Sequence, residues 1–297
     1  MKIIKNIVFS GGGFKGWAYI GTIRALNEKI PFKNIEHVVG VSIGSLLALL
    51  YILQIDYKIL LDFRINLDVK KYLDVDIDSF LINQSLIEGK KIKQIFINST
   101  QNKITNDTTF MELYNKTGVK YTTCAFNITK VQLDYFNKDL TPNIKVIDAI
   151  MASCALPLLF PAYCIENNWY YDGAICNNCP SNLVDPKVSI AFDISSHNTH
   201  SKYKLVSLIL SLTEITNKQF SKINSIKYNI IDKKFDKEIF NLDQSYDTIF
   251  NIYMNGYKNT LKILNDYLSE DFLSEDFLSE DFLPKNCESS VFEDIGL

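Results

Sequence analysis

The chain has 297 residues, 47% of them hydrophobic and 12% aromatic, enough to bury one large core with a tail to spare. Its 31 basic and 34 acidic residues leave a net charge of −3 without any long basic run, which argues against a phosphate-neutralising surface and so against nucleic acid as a partner. The longest apolar run, Leu46–Leu53, falls far short of the roughly 20 residues of a membrane-spanning helix, so membrane contact is expected to be peripheral only.

The N-terminal stretch is apolar, broken at Lys5, and runs straight into glycines. It has neither the apolar core nor the cleavage region of a signal peptide, so an intracellular, cytoplasmic location is expected and Lys2–Phe9 reads as a buried strand. Over Gly16–Lys29, Ala18, Ile20, Ile23 and Leu26 recur at near-helical spacing. Ile35–Val39 reads as a second strand, and Ser45–Gln54, apolar on nearly every side, as a helix buried within the protein. Two strand–loop–helix units before Asp56 predict an α/β fold, a mostly parallel sheet with helices packed on it.

Asp56–Lys116 reads as mainly helical with polar faces, and Val119–Phe136 returns to β character. Ile144–Ala155 is a further buried helix, stopped before Pro157, which with Pro161 predicts a fixed irregular segment. Strands are predicted at Trp169–Tyr171 and Val188–Ile194, and amphipathic helices at Tyr203–Phe220 and Tyr246–Tyr267. Leu-Ser-Glu-Asp-Phe then repeats in tandem from Leu268 to Phe282. Its five-residue period matches neither helix nor strand, so residues 268–297 are expected to form a disordered acidic tail after a main domain of residues 1–267.

Six cysteines in a chain this long do not resemble a disulfide framework. Cys176 and Cys179 form one C-x-x-C, but no second ligand pair follows, so they read as ordinary thiols and no metal or cofactor is expected.

Two glycine-bearing motifs carry chemistry. In Gly40-Val41-Ser42-Ile43-Gly44 a serine sits between a predicted strand and a predicted helix, where small residues on either side let it project from a tight turn as a nucleophile. Upstream, Gly11-Gly12-Gly13-Phe14-Lys15-Gly16 can aim unobstructed backbone N–H groups at one point, as an oxyanion hole requires. Serine also needs a base. His37 lies too close to Ser42 along an extended segment to fold back onto it, while His197 and His200 follow a strand end in polar surroundings and leave a Ser-Asp-His order open.

The two motifs, followed by Asp172-Gly173-Ala174, resemble the patatin-like phospholipases, which combine a G-G-G-x-[RK]-G loop, a G-x-S-x-G elbow and a later D-G-[AG] in this order. Ala152–Pro157, Phe160-Pro161, Asn178 and Pro180 extend the likeness, which spans Ile3 to Ile194, is weak across Asp56–Lys116 and stops before the tail. The resemblance implies a three-layer fold with the sheet between helices. It also implies a Ser42–Asp172 dyad in which the carboxylate takes the serine proton, and hydrolysis of phospholipid or another fatty acyl ester at a lipid surface. Gly11, Gly12, Gly13, Lys15 and Gly16 would form the oxyanion loop, with Gly40, Gly44, Gly173 and Ala174 in support. An aspartate must be desolvated to serve as such a base, and Trp169, Tyr170 and Tyr171 are the expected source of dryness.

Three other readings compete. An α/β-hydrolase esterase would use a Ser-Asp-His triad, but its elbow usually follows more strands than the two before Ser42. Gly11, Gly13 and Gly16 also satisfy a dinucleotide-binding pattern, yet no acidic residue ends the second strand. The last is a non-catalytic lipid-binding relative.

Overall fold

The computed structural model describes residues 3–67, 89–157, 159–194, 227–235, 241 and 244–269. His197, His200, Cys287, the helix expected over Tyr203–Phe220 and the tail beyond Ser269 lie outside the described residues.

The chain opens with β1 (Asn6–Phe9), a 3-10 turn (Gly13–Trp17) and α1 (Ala18–Lys29), then β2 (His37–Gly40) and α2 (Ile43–Ile52). Residues Gly44–Ile52 of α2 are all buried, which is why its sequence is apolar on every side. Next come α3 (Tyr57–Asn66), α4 (Lys90–Ser99) and α5 (Phe110–Thr117). The start of α5 is set by a reciprocal Thr109–Glu112 capping box, and its end by Gly118 in the left-handed region. An antiparallel hairpin, β3 (Lys120–Asn127) and β4 (Gln132–Phe136), leads to α6 (Val146–Ser153). A second hairpin, β5 (Tyr163–Ile165) and β6 (Asn168–Asp172), precedes β7 (Ser189–Asp193), β8 (Lys227–Asn229) and α7 (Tyr246–Leu268).

The strands form one mixed sheet flanked by helices, in the order β5-β6-β3-β2-β1-β7-β8, with β4 also on β3. The parallel character predicted from the strand–loop–helix units holds for β3, β2, β1, β7 and β8, whereas β4, β5 and β6 run antiparallel to their neighbours. β3 has two edges to share among three partners. β4 pairs with Thr123–Asn127, overlapping β2 at Thr123 and β6 at Ala125–Asn127, so β2 and β6 must occupy the opposite edge, end to end. Gly40 faces Thr123 and Asp172 faces Ala125, so the two strand ends meet about two residues apart, on the order of 7 Å along β3.

Boundaries differ from expectation in three places. α2 begins at Ile43, directly after Ser42, and not at Ser45. The residues from Gly13 to Trp17 form a tighter 3-10 turn because the glycine loop must reverse before α1 can start. α7 ends at Leu268, the first residue of the repeat, one residue past the expected Tyr267, and Leu268 packs on the core.

α7 crosses α1 at very short range. A Cβ on Gly256 would lie 2.1 Å from the Ala18 carbonyl oxygen, and the buried hydroxyls of Thr22 and Thr260 meet at 3.0 Å. Gly256→Val is therefore expected to destabilise the fold by about 1–3 kcal/mol through overpacking. Urea denaturation measures this, and a curve superimposable on the parent's would contradict the close crossing.

Candidate active site

Ser42 occupies the N-cap position of α2, with φ 54° and ψ −135°, a left-handed conformation rare for a residue with a side chain. Such a conformation costs of order 1–3 kcal/mol and persists only where surrounding contacts enforce it. The Ser42 N–H donates to Ser153 Oγ at 2.9 Å, and its carbonyl accepts from the Ser45 N–H at 2.8 Å and Ser45 Oγ at 2.6 Å. Gly44 allows the first turn of α2 to press against the exit of β1, since a Cβ there would lie 2.4 Å from the Ser10 carbonyl oxygen. A serine at an N-cap ordinarily turns its hydroxyl back onto the helix amides. Here Ser42 makes no such cap, and its Oγ donates to Asp172 Oδ2 at 2.7 Å.

Asp172 ends β6 and is only 2% exposed. Its amide donates to the Ala155 carbonyl at 2.9 Å, and its Oδ1 accepts the Ala174 N–H at 2.8 Å. Burial pushes the carboxyl up to about 7, against the opposing pull of the hydrogen bonds from Ser42 and Ala174. Trp169 does not supply the expected dryness. Trp169 is 49% exposed, and Tyr170 directs its hydroxyl to Asp134 at 3.1 Å. The dry wall is built by the paired strand β3 at Cys124 and Ala125 and by the segment after α6 at Cys154 and Ala155; both thiols lie close enough to Asp172 to feel its charge. Gly173 follows directly and packs on the Cys124 carbonyl.

The glycine loop lies against this pair. A Cβ built on Gly11 would stand 3.1 Å from Ser42 Cβ and 3.4 Å from Ala174 Cβ. The Gly11 N–H is committed to the Asn178 carbonyl at 3.0 Å, and Asn178 Nδ2 donates to the Gly11 carbonyl at 3.3 Å. Gly12 and Gly13 open the 3-10 turn, which has no side-chain cap, so its leading N–H groups are oriented outward from a helical terminus. Gly16 packs against Ile43, tying the loop to the start of α2. Lys15 is fully buried within the same loop.

Ser42, Asp172, Gly11, Gly173 and Ala174 thus converge, with Gly40 and Gly44 bracketing the turn. His37 does not join them: its Nε2 bonds Thr122 Oγ1 at 2.8 Å across β2 and β3, and burial lowers its pKa to about 4. Ser153 and Asn178 were legible only as neighbours of the motifs. Their contacts, one to the Ser42 amide and one to Gly11, link positions 111 and 167 residues apart, and nothing local in the chain announces them.

A sequence model of the patatin-like phospholipase family matches residues 7–185. The chain is 28% identical over 243 residues to a probable lipid hydrolase of invertebrate iridescent virus 6, covering 77% of this chain and 79% of that protein. It is 30% identical over 176 residues to triacylglycerol lipase 4 of Saccharomyces cerevisiae, covering 52% of this chain but 18% of that much longer protein. Among solved structures, VipD from Legionella pneumophila shares the fold with a TM-score of 0.60 at 17% identity, over 89% of this chain and 67% of that one.

The raised carboxyl has a consequence for stability. Folded Asp172 keeps its proton up to about pH 7, whereas an unfolded aspartate releases it near ~3.9. The native state therefore holds the extra proton between those values, and the contribution of Asp172 to stability falls as pH rises through that window. Asp172→Asn, which stays neutral, is expected to melt above the parent at pH 8, with the gap closing as pH falls toward 4. A gap independent of pH would show that Asp172 titrates as an ordinary aspartate.

Proposed function

Because the chain belongs to the patatin-like phospholipase family, we propose that it is a lipid acyl hydrolase working through Ser42 and Asp172. The observation carrying this reading is the direct 2.7 Å hydrogen bond from Ser42 Oγ to a buried carboxyl whose pKa is raised to about 7. An ordinary aspartate is too weak a base for a serine hydroxyl at neutral pH, whereas one poised near 7 is both ionised in useful amount and basic enough to take the proton.

In the proposed cycle, Ser42 Oγ attacks the acyl carbonyl carbon as its proton passes to Asp172 Oδ2. The carbonyl oxygen gains the charge, and the amides of Gly12 and Gly13 stabilise it; the Gly11 amide takes no part, being held by Asn178. The positive end of α2 adds to the same field. The tetrahedral intermediate then collapses, the C–O bond to the alcohol breaks, and the alcohol leaves with the proton from Asp172. A water molecule attacks the acyl-enzyme, giving its proton to Asp172; the bond from the acyl carbon to Ser42 Oγ then breaks, Asp172 returns the proton to Oγ, and the fatty acid departs.

The likeness to a probable lipid hydrolase and to a triacylglycerol lipase supports a lipid ester as substrate, with contact at a lipid surface. Among the described residues no helix is long and apolar enough to cross a membrane. The triad alternative is disfavoured by geometry, because at 2.7 Å no imidazole fits between the hydroxyl and its acceptor.

Purified protein is expected to release free fatty acid from a panel of phospholipids and neutral glycerides. Ser42→Ala and Asp172→Asn should each lower the rate by about 10³-fold or more, while His37→Ala, His197→Ala and His200→Ala retain most of it. Since Asp172 acts ionised, kcat/KM should climb with pH through about 7 and level off above it. Major loss at one histidine, or a profile already flat from pH 5, would return the choice to a triad.

A further inference from the structure

β3 runs on past the reacting pair. Ala125 lies opposite Asp172 and Asn127 opposite Tyr170, so the turn after β3 begins at Ile128, three residues and about 10 Å beyond the level of Asp172. Gly40, which leads into Ser42, faces Thr123 at the end of the parallel strand β2. The β3–β4 turn and the start of β6 beside it therefore project from the same end of the sheet as Ser42.

Three large apolar side chains stand in water at this tip: Ile128 is 39% exposed, Trp169 49% and Val131 77%. Hydrogen bonds tie them into one unit. The Ile128 N–H donates to the Trp169 carbonyl at 2.9 Å and the Trp169 N–H to Thr129 Oγ1 at 3.0 Å, while the N–H groups of Thr129 and Lys130 both donate to Asn127 Oδ1 at 3.0 Å. Val131 has φ 54°, in the left-handed region that a β-branched residue rarely occupies. Packing does not offset that strain, since the side chain lies mostly in solvent.

The chemistry of the tip fits a lipid surface. The amides of Ile128, Thr129, Lys130 and Trp169 are paired within the protein, as entry into a layer poor in water requires, whereas a partner adding a strand would need such groups free. A half-exposed indole suits the headgroup boundary, where its apolar body and its N–H are both served. Lys130 can extend its ammonium outward along an apolar stem. Glu166, in the β5–β6 turn at the same end of the sheet, is exposed like Lys130 and of opposite charge, so the contact does not call for anionic lipid.

We propose that Ile128, Val131 and Trp169 form the surface by which the protein docks on a lipid bilayer, bringing the Ser42 end of the sheet to it. The choice of lipid as occupant rests on the lipid acyl hydrolase reading of Ser42 and Asp172.

Binding is measured on Ser42→Ala protein, which leaves the vesicles intact. Of the two tryptophans, Trp17 is buried, so Trp169 reports the contact. Its emission should move to shorter wavelength on adding phosphatidylcholine vesicles and be quenched by brominated acyl chains in them, and Trp169→Phe should remove both changes. Val131→Asn, a side chain tolerated at positive φ, should melt no lower than the unsubstituted tip yet partition onto vesicles about 10-fold more weakly, and Ile128→Asn should weaken partitioning similarly. An emission maximum unmoved by vesicles, or partitioning equal to that of the unsubstituted tip in both asparagine variants, overturns the proposal. Should the parent release no fatty acid, the hydrolase reading fails in that assay, while vesicle partitioning, read without turnover, still decides the docking surface. With Ser42 present, the tip variants should keep the parent's rate on soluble p-nitrophenyl acetate and lose about 10-fold on vesicle phospholipid; equal loss on both substrates counts against docking.

Discussion

The site depends on one edge of one strand. β4 covers the far edge of β3, so the near edge is divided between β2, which ends opposite Thr123, and β6, which arrives from the other direction opposite Ala125. Backbone pairing at this spacing is rigid, and it delivers the residue two beyond Gly40 to the residue that ends β6. The 2.7 Å contact between Ser42 and Asp172 follows from sheet register before any side-chain preference is considered.

Burial is set against hydrogen bonding at this junction. A carboxyl only 2% exposed would hold its proton more firmly still without the two donors, Ser42 Oγ and the Ala174 N–H, that favour its ionised form. The donors do not cancel the desolvation, and the balance leaves the group near neutrality. Ser42 carries a related cost: its positive φ and the helix cap it forgoes both oppose stability, and both aim its hydroxyl at Asp172. The contacts that offset this are the distant Ser153 on the amide side and Ser45, in the first turn of α2, on the carbonyl side.

The end of α6 couples the separate parts of the site. Its last residue holds the Ser42 backbone, and the residue two further on holds the Asp172 backbone. Pro157 stops the helix from continuing past this point, so these short-range roles fall on a segment with little freedom to shift. Gly11 closes the arrangement from the other side through its reciprocal bonds with Asn178.

Much of this was legible locally. The tight turn at Ser42, the uncapped glycine turn and the entirely buried α2 are short-range matters, written in glycine placement and apolar periodicity, and they locate Ser42 and the parallel half of the sheet. Asp172 was legible through a three-residue motif, but the expected contribution of Trp169 to its surroundings was not met. Alternation along β6 turns Tyr170 toward Asp134 and leaves Trp169 in solvent, and only the pairing of β6 with β3 brings Cys124 beside the carboxyl. The antiparallel strands and the roles of Ser153 and Asn178 could not be read in advance. Each depends on contacts between residues far apart in the chain, and such pairing is decided by sheet register and packing, not by any local pattern.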